Sequence, residues 1–198
     1  MLWPVARALT KAGYRPISLG YKSRSSSFER IVDTLAARIA AECRGKRYHI
    51  VAHSMGGLVT QAILARHRPA GLGRVVMLGP PLAGSEWVPF LRRAGLDRLV
   101  LSHAGELLGP DRPPALTQLL GEVDYPLGII AGDKTADPIL PRLIFPHAND
   151  GKVAVAATHI QGETDHIVLP VSHTLMLWNR SVHRQIVAFL QSGHFARP

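Results

Sequence analysis

The 198-residue sequence has little cysteine, and Cys43 is the only one. A single cysteine cannot form a disulfide within the chain, and it excludes zinc sites built from several thiolates. The composition therefore gives no indication of an oxidising compartment. The apolar residues that share one predicted helical face with Cys43 are Phe28, Ile31, Val32, Leu35 and Ile39. We therefore expect this thiol to pack in the core.

Long apolar stretches are also lacking. No run of about 18 apolar residues occurs, so the sequence predicts no membrane-spanning helix. Residues 1–10 lack the basic start, the apolar stretch and the small-residue cleavage site of a signal peptide. As written, the sequence predicts a cytoplasmic protein. Its length and its hydrophobic content of 46% predict a single domain, residues 1–198, with a well-filled core.

Acidic residues are scarce in the first third of the chain. Residues 1–68 hold 12 Lys and Arg against 3 Asp and Glu, whereas residues 69–198 hold 11 of each. A basic excess of this kind can attract nucleic acid or an anionic membrane. Because the basic residues are not interleaved with aromatic residues and recur on the polar sides of predicted helices, we expect solvated helix faces and no nucleic-acid partner. Peripheral contact with an anionic membrane stays open.

Apolar strands and amphipathic helices alternate along the chain. Helical spacing of apolar residues predicts helices at 2–12, 28–44, 57–67 and 174–191. Short apolar runs predict buried strands at 16–21, 48–52, 74–79, 126–131 and 166–171. This alternation indicates an α/β fold with a mostly parallel central sheet and helices on both faces.

Residues 84–121 interrupt the alternation. The segment is rich in Gly, Pro, Arg and Leu and lies between two predicted strands. It forms either a cap over an active site or irregular helices on the surface. We favour the cap, because long insertions at the carboxyl edge of a parallel sheet commonly serve sites.

Ser54 stands where a predicted strand gives way to a predicted helix. Small residues lie two positions before it and two positions after it, Ala52 and Gly56. This spacing is typical of a strained turn that lifts a serine hydroxyl out of a sheet, because only small flanking side chains let the strand and the helix approach each other. Ala52 adds one methyl group where glycine is more common. The alternative interpretation is a serine that merely caps the helix.

Four segments carry a resemblance to a known family. Residues 52–57, Ala-His-Ser-Met-Gly-Gly, resemble the nucleophile elbow of bacterial lipases and esterases of the α/β-hydrolase fold. Residues 79–85 are similar to the Thr-Pro-His-x-Gly-Ser segment of many such lipases, with Pro81 where histidine is usual. Residues 149–153, Asn-Asp-Gly-Lys-Val, resemble their acid loop, and the resemblance continues to Ser172 and His173. The resemblance implies the α/β-hydrolase fold, with the usual first strand or strands missing from this sequence.

A serine becomes an effective nucleophile when a base takes its proton and a carboxylate orients that base. In this fold the partners follow in the order Ser, Asp or Glu, His. His173 comes directly after the last predicted strand, so we expect it at the carboxyl edge of the sheet and assign it as the base. The histidines that we expect to be structural or exposed are His53, His159, His166, His183 and His194.

Two positions compete for the catalytic acid. Asp150 lies on a loop between Asn149 and Gly151 and matches the acid position of the family. Asp133 follows a predicted strand, which is another place where this fold can hold its acid, and Asp137 is close behind. We favour Asp150. For either residue, the alternative is a turn aspartate that accepts hydrogen bonds within its own loop.

The backbone N–H of Met55 is the expected first donor of an oxyanion hole, because it directly follows the nucleophile. In relatives, the second donor comes from a strand and a His-Gly loop ahead of the first helix. That strand and loop are absent from the printed sequence. We expect either a shortened sequence or a hydrolase with a damaged site, and we favour the first because every later element is present.

The sequence therefore predicts a serine hydrolase that cleaves carboxylic esters of the acyl or lipid type. We expect a small-molecule acyl ester or lipid as substrate, no cofactor and no metal. Two alternatives stay open: a catalytically silent hydrolase-fold binding protein that lacks a complete oxyanion hole, and an acyltransferase that uses the same triad.

Overall fold

The computed structural model describes residues 2–21, 27–93, 95, 108–135, 144–145 and 147–197. The helices of this part are α1 Trp3–Lys11, α2 Phe28–Cys43, α3 Met55–Arg66, α4 Trp87–Arg93, α5 Pro114–Leu120 and α6 Arg180–Ser192. The strands are β1 Tyr48–His53, β2 Leu72–Leu78, β3 Leu127–Gly132 and β4 Asp165–Leu169. Two short 3₁₀ turns lie at Val155–Thr158 and Leu175–Leu177.

The four strands form one parallel sheet in the order β1-β2-β3-β4. Because all strands run in the same direction, their carboxyl ends meet at one edge. Ser54, Gly79 and Asp133 each follow a strand directly at this edge. Parallel strands are joined by long crossover connections instead of tight hairpins. Residues at the start of these connections can therefore meet at the carboxyl edge.

Helices cover both faces of the sheet, as the sequence predicts. On one face, α2 and α3 pack against Val75 and Met77 of β2. On the other face, α1 and α6 pack against Val76 and Leu78 of the same strand. Successive side chains of a strand point to opposite faces, so the apolar run at residues 75–78 of β2 is what a sheet buried on both faces requires.

Local signals set the ends of the two longest helices. The Ser27 side chain accepts a hydrogen bond from the Arg30 N–H at the start of α2. The Asn179 side chain accepts hydrogen bonds from the N–H groups of Ser181 and Val182 at the start of α6. The residue after α6 is Gly193, with φ 88°, a backbone conformation that glycine adopts without strain.

The predicted strand at 16–21 is wrong. The segment belongs to no strand or helix, and within the described part of the chain its backbone makes no hydrogen bond to the sheet. Leu19 and Tyr21 pack against the cluster between the sheet and α2–α3, and Arg38 donates to the Gly20 carbonyl. An apolar pattern predicts that side chains are buried. In this segment the side chains of Leu19 and Tyr21 are partly buried by packing against helices, and no strand pairing is involved among the described residues.

Two further predictions need correction near the carboxyl end. The single helix expected at 174–191 is a 3₁₀ turn followed by α6, because the Asn179 side chain starts a new helix. The strand expected to be buried at 166–171 is β4, which within the described residues pairs with β3 alone and leaves Val168 exposed.

Cys43 is half-buried and packs against the α2–α3 cluster.

The described ends of the predicted cap at 84–121 include α4 and α5, whereas residues 96–107 lie outside the described part. Arg112 donates to the carbonyl groups of Pro81 and Leu82, and the Ser85 N–H donates to the Leu108 carbonyl. These bonds fasten both ends of the insertion beside the end of β2. The cap over a site stays a prediction.

Candidate active site

Ser54 occupies a strained turn between β1 and α3. Its backbone has φ 56° and ψ −129°, a conformation that residues other than glycine rarely adopt. The Ser54 N–H donates to the Leu78 carbonyl at 2.9 Å, which ties the turn to the end of β2. The side chain is half-buried and stands at the carboxyl edge of the sheet.

Of the two glycines that follow Ser54 in α3, Gly57 is the one that close packing requires. A Cβ atom at Gly57 would lie 2.8 Å from the Pro80 Cβ, so a side chain there would push α3 away from the sheet. A Cβ atom at Gly56 would lie 3.7 Å from the Ala52 Cβ, an ordinary contact. The extra methyl group of Ala52 therefore fits the turn, and the departure from glycine is tolerated.

The N–H of Met55 lies at the first position of α3, where a backbone donor has no acceptor within its own helix. Met55 also directly follows Ser54, so this N–H lies beside the serine. The positive end of the helix dipole adds to its capacity to bind an anion. The geometry is suitable for one donor of an oxyanion hole.

His173 and Asp150 form a buried pair. The His173 Nδ1 and the Asp150 Oδ2 are 2.7 Å apart, and the two side chains are 4% and 1% exposed. The Asp150 Oδ1 accepts hydrogen bonds from the N–H groups of Lys152 and Val153 at 2.9 and 2.8 Å. The His173 N–H donates to the Asp150 carbonyl at 2.8 Å. Backbone and side-chain bonds together fix the imidazole against the carboxylate.

Gly79 brings this pair next to the end of β2, a role that no motif in the sequence indicated. A Cβ atom at Gly79 would lie 2.9 Å from the Asp150 Oδ2 and 3.1 Å from the His173 Nδ1. Gly79 follows Leu78, whose carbonyl binds the Ser54 N–H. The pair of Asp150 and His173 therefore contacts Gly79, the residue next to the one that binds Ser54. Among the described residues, no side-chain hydrogen bond joins the Ser54 hydroxyl to His173.

His53 contacts the pair from β1, although the sequence predicted only a structural or exposed histidine. Its Nε2 lies 3.0 Å from the His173 carbonyl oxygen, and the two rings are 4.7 Å apart between centroids. Burial, together with the neighbouring His173, lowers the pKa of His53 to about 4. The neutral ring must carry its proton on Nε2, because a carbonyl oxygen only accepts.

Asp133 directly follows β3, and its backbone lies close to that of the pair, but its carboxylate makes no hydrogen bond to His173 in the described part of the chain. Its side chain is 34% exposed, and Lys134 lies 4.0 Å from its Oδ1. Within the described residues, the carboxylate that binds His173 is that of Asp150 and not that of Asp133. Asp137 lies outside the described residues. The geometry thus favours Asp150 as the partner of the imidazole.

The remaining histidines make other contacts. His166 stacks on His159 at 3.8 Å, and its Nε2 lies 2.9 Å from the Thr158 hydroxyl. His183 is bonded to the Leu177 carbonyl, and His194 is exposed near Asp165. Each of these four imidazole rings has a contact of its own with residues that are far from Ser54 in the sequence.

The acid loop is held by the start of the 84–121 insertion. The Trp87 indole N–H donates to the Gly151 carbonyl at 2.6 Å, and the Ser85 hydroxyl donates to the Lys152 carbonyl at 2.6 Å. Asn149 accepts from the Gly151 N–H and closes the turn. The part of the chain that resembles the lipase segment 79–85 therefore positions the loop that carries Asp150.

The surroundings of the site are partly open. Ser172 lines a depression of about 190 Å³ together with Lys134, Thr135 and Leu175. In the described ranges, no group of three or more His, Cys, Asp or Glu side chains could hold a metal ion. None of the described helices is long and apolar enough to cross a membrane.

Comparison with solved structures shows the same fold in several hydrolases. The mature form of a Bacillus licheniformis lipase is 19% identical and superimposes with a TM-score of 0.72, over 97% of this chain and 86% of the lipase. A Legionella pneumophila phospholipase is 18% identical with a TM-score of 0.58, over 80% of this chain and 41% of the phospholipase.

A third structure comes from a description of carboxylesterases of the thaumarchaeon Nitrososphaera gargenis. It is 12% identical with a TM-score of 0.60, over 96% of this chain and 86% of that protein. No curated protein sequence matches the chain. The family model described as "Alpha/beta hydrolase family" matches residues 2–198. The chain therefore belongs to the alpha/beta hydrolase family.

Proposed function

We propose that the protein is a serine hydrolase that cleaves carboxylic esters of the acyl or lipid type. The observation that carries this proposal is the backbone of Ser54, a non-glycine residue with φ 56° at the junction of β1 and α3. Such strain persists only where the surrounding structure maintains it, and it clusters at active sites. A serine that merely caps a helix adopts an unstrained, extended backbone conformation.

The first chemical step is the attack of the Ser54 hydroxyl oxygen on the acyl carbon of the ester. Asp150 accepts a hydrogen bond from the His173 Nδ1–H, which leaves the lone pair on Nε2 to accept the serine proton. The positive charge that develops on the imidazole is stabilised by the buried carboxylate. The Met55 N–H stabilises the negative oxygen of the tetrahedral intermediate.

The intermediate then collapses. The bond to the alcohol oxygen breaks, and the imidazolium of His173 gives its proton to the departing alcohol, which leaves an acyl group on Ser54. His173 next removes a proton from water, which attacks the acyl carbon. The bond between the acyl carbon and the Ser54 oxygen then breaks, and the His173 imidazolium returns its proton to that oxygen, which releases the carboxylic acid and restores the free serine.

Support for an acyl or lipid ester comes from the proteins that share this fold. The structural neighbours include a lipase and a phospholipase, both too distant in sequence to transfer a substrate by themselves.

A fluorophosphonate probe tests the nucleophile. We expect the probe to label the wild-type protein on Ser54, and we expect no labelling of Ser54→Ala. Ser192→Ala is the matched control, because Ser192 is an exposed serine at the end of α6 and should leave labelling unchanged. A folded wild-type protein that resists the probe would contradict the proposal, as would equal labelling of Ser54→Ala.

One observation favours a second candidate, a catalytically silent binding protein. The Ser54 hydroxyl and His173 share no hydrogen bond in the described part of the chain, although catalytic hydrogen bonds are often long in proteins without substrate. Inertness toward both short and long acyl esters would favour this candidate. If the protein is an acyltransferase, the fluorophosphonate probe would label Ser54. With an added alcohol as acceptor, the reaction would then form more of the new ester than of the free carboxylic acid.

A further inference from the structure

Three large apolar side chains lie exposed on two neighbouring elements. Trp3 of α1 is 60% exposed, and Leu175 and Trp178, in and directly after the second 3₁₀ turn, are 58% and 59% exposed. The rings of Trp3 and Trp178 are 6.0 Å apart between centroids. The Trp178 N–H donates to the Leu175 carbonyl, so these two side chains lie one above the other on the turn.

Exposed cationic side chains lie on α1 and on α6, which begins two residues after Trp178. Arg7 and Lys11 follow Trp3 at intervals of four residues, which places all three on one face of α1, and the Arg7 guanidinium lies 5.8 Å from the centre of the Trp3 ring. Arg180 and Arg184 are exposed at the start of α6. Neither α1 nor α6 contains an aspartate or a glutamate.

We propose that this surface, the basic aromatic face formed by Trp3, Arg7, Lys11, Leu175, Trp178, Arg180 and Arg184, docks on an anionic phospholipid membrane. Tryptophan is suited to the interface of a bilayer, because its ring is apolar and its N–H is polar. Exposed Lys and Arg side chains on both elements attract anionic headgroups, each adding about 1 kcal/mol near such a surface. The absence of carboxylates from α1 and α6 removes local repulsion.

The charge pattern favours a lipid surface over a second copy of this chain. A second copy would bring an identical set of cations against the first, and no carboxylate on these two helices could neutralise them. Anionic lipid supplies the missing negative charge and an apolar phase together. The face thus matches a membrane in both charge and polarity.

The position of the face gives the docking a consequence. Leu175 lies two residues after His173, and it also lines the depression beside Ser172. A membrane that contacts Leu175 and Trp178 would therefore bring acyl chains to the edge of the candidate active site. Docking itself needs no reaction, so it can be tested independently of the proposed catalysis.

Vesicle sedimentation tests the proposal in the Ser54→Ala background, where no ester can be cleaved. We expect binding to vesicles of phosphatidylcholine with phosphatidylglycerol, much weaker binding to phosphatidylcholine alone, and release by salt. Trp3→Ser with Trp178→Ser should weaken binding at least about tenfold. The control pair, Ile17→Ser with Val168→Ser, removes exposed apolar side chains elsewhere and should bind like the parent.

A charge series tests the other half of the face. Replacing Arg7, Lys11, Arg180 and Arg184 by Gln should weaken binding to anionic vesicles strongly. Replacing four exposed cations elsewhere, Arg30, Arg44, Lys46 and Arg47, removes the same charge and should have a much smaller effect. Equal loss in both sets would show that only net charge matters and would overturn the proposal.

Two further outcomes would also overturn it. Vesicle binding that persists after the tryptophan substitutions, in variants with an unchanged unfolding midpoint, would place the contact elsewhere. A protein that is dimeric in solution and becomes monomeric through those substitutions would show that the face binds a second copy. Sedimentation velocity separates this result from membrane docking.

Discussion

Gly79 shows how a single missing side chain can decide the geometry of the candidate site. The dyad of His173 and Asp150 lies so close to its Cα that any Cβ would contact both groups, at 3.1 and 2.9 Å. At these distances the neighbours must move, and neither can move freely because Asp150 is fixed by two backbone N–H groups. The glycine therefore leaves the space in which the imidazole reaches the carboxylate.

We predict that Gly79→Ala lowers kcat/KM for a short ester by about tenfold to a hundredfold, since a displacement of about 1 Å can have this effect. Gly45→Ala is the matched control: Gly45 also has a positive φ, 75°, but a Cβ there would meet no atom within 4 Å. Both variants should lose about 1 kcal/mol of stability from the backbone alone. Equal activities in the two variants, measured at the same folded fraction, would refute this role for Gly79.

His53 makes stability depend on pH. Its pKa is lowered from 6.5 to about 4 in the folded protein by burial and by His173. Between these two values the unfolded chain binds the proton and the folded chain does not, so the free energy of unfolding falls as the pH falls. The full effect is about 3 kcal/mol and is complete below pH 4.

We predict that His53→Gln loses this part of the pH dependence, because glutamine can donate to the His173 carbonyl but does not titrate in this range. Urea unfolding of both proteins from pH 7 to pH 4 gives the comparison. His194→Gln, which replaces an exposed histidine, should follow the wild type. Parallel curves for wild type and His53→Gln would contradict the assignment of the lowered pKa to His53.

At the scale of elements, local signals predicted the helices well and the strands in part. The apolar spacing gives α2 within one residue, and the buried runs place β1, β2 and β3. The segment 16–21 has the composition of a strand, but a strand also needs a partner, which composition does not supply. The break before α6 depends on the side chain of Asn179, a residue that within an uninterrupted apolar pattern is easily taken for a helix interior.

The residues of the candidate site also divide into those that the sequence predicted and those that it did not. Ser54, Asp150 and His173 could be proposed from the sequence, because each stands in a motif or at the end of a predicted strand. Gly79 and His53 could not be assigned, because their importance depends on contacts between segments that are 71 to 120 residues apart in the chain. The available signal was positional: both residues stand at the carboxyl ends of neighbouring strands, where a parallel sheet gathers its functional groups.

At the scale of the whole molecule, the sheet lies between two apolar clusters, one on each face. The face covered by α6 depends on one close fit. A Cβ atom at Gly128 of β3 would lie 2.6 Å from the Phe189 ring, and Phe189 is fully buried and packs on Phe195. The ring fills the space that the absent side chain leaves, so helix and sheet are packed as a unit.

We predict that Gly128→Ala and Phe189→Ala are not additive. Gly128→Ala should destabilise by about 1–3 kcal/mol through overpacking, and Phe189→Ala by about 3–5 kcal/mol through lost burial. In the double variant the methyl group enters the space that the ring has left, so the total should fall short of the sum by about 0.5–3 kcal/mol. Urea unfolding of the four proteins measures this difference, with Gly20→Ala as a control in open space. Strict additivity would mean that the backbone of β3, rather than the ring of α6, absorbs the added methyl group, and that the two layers are packed less tightly than the structure indicates.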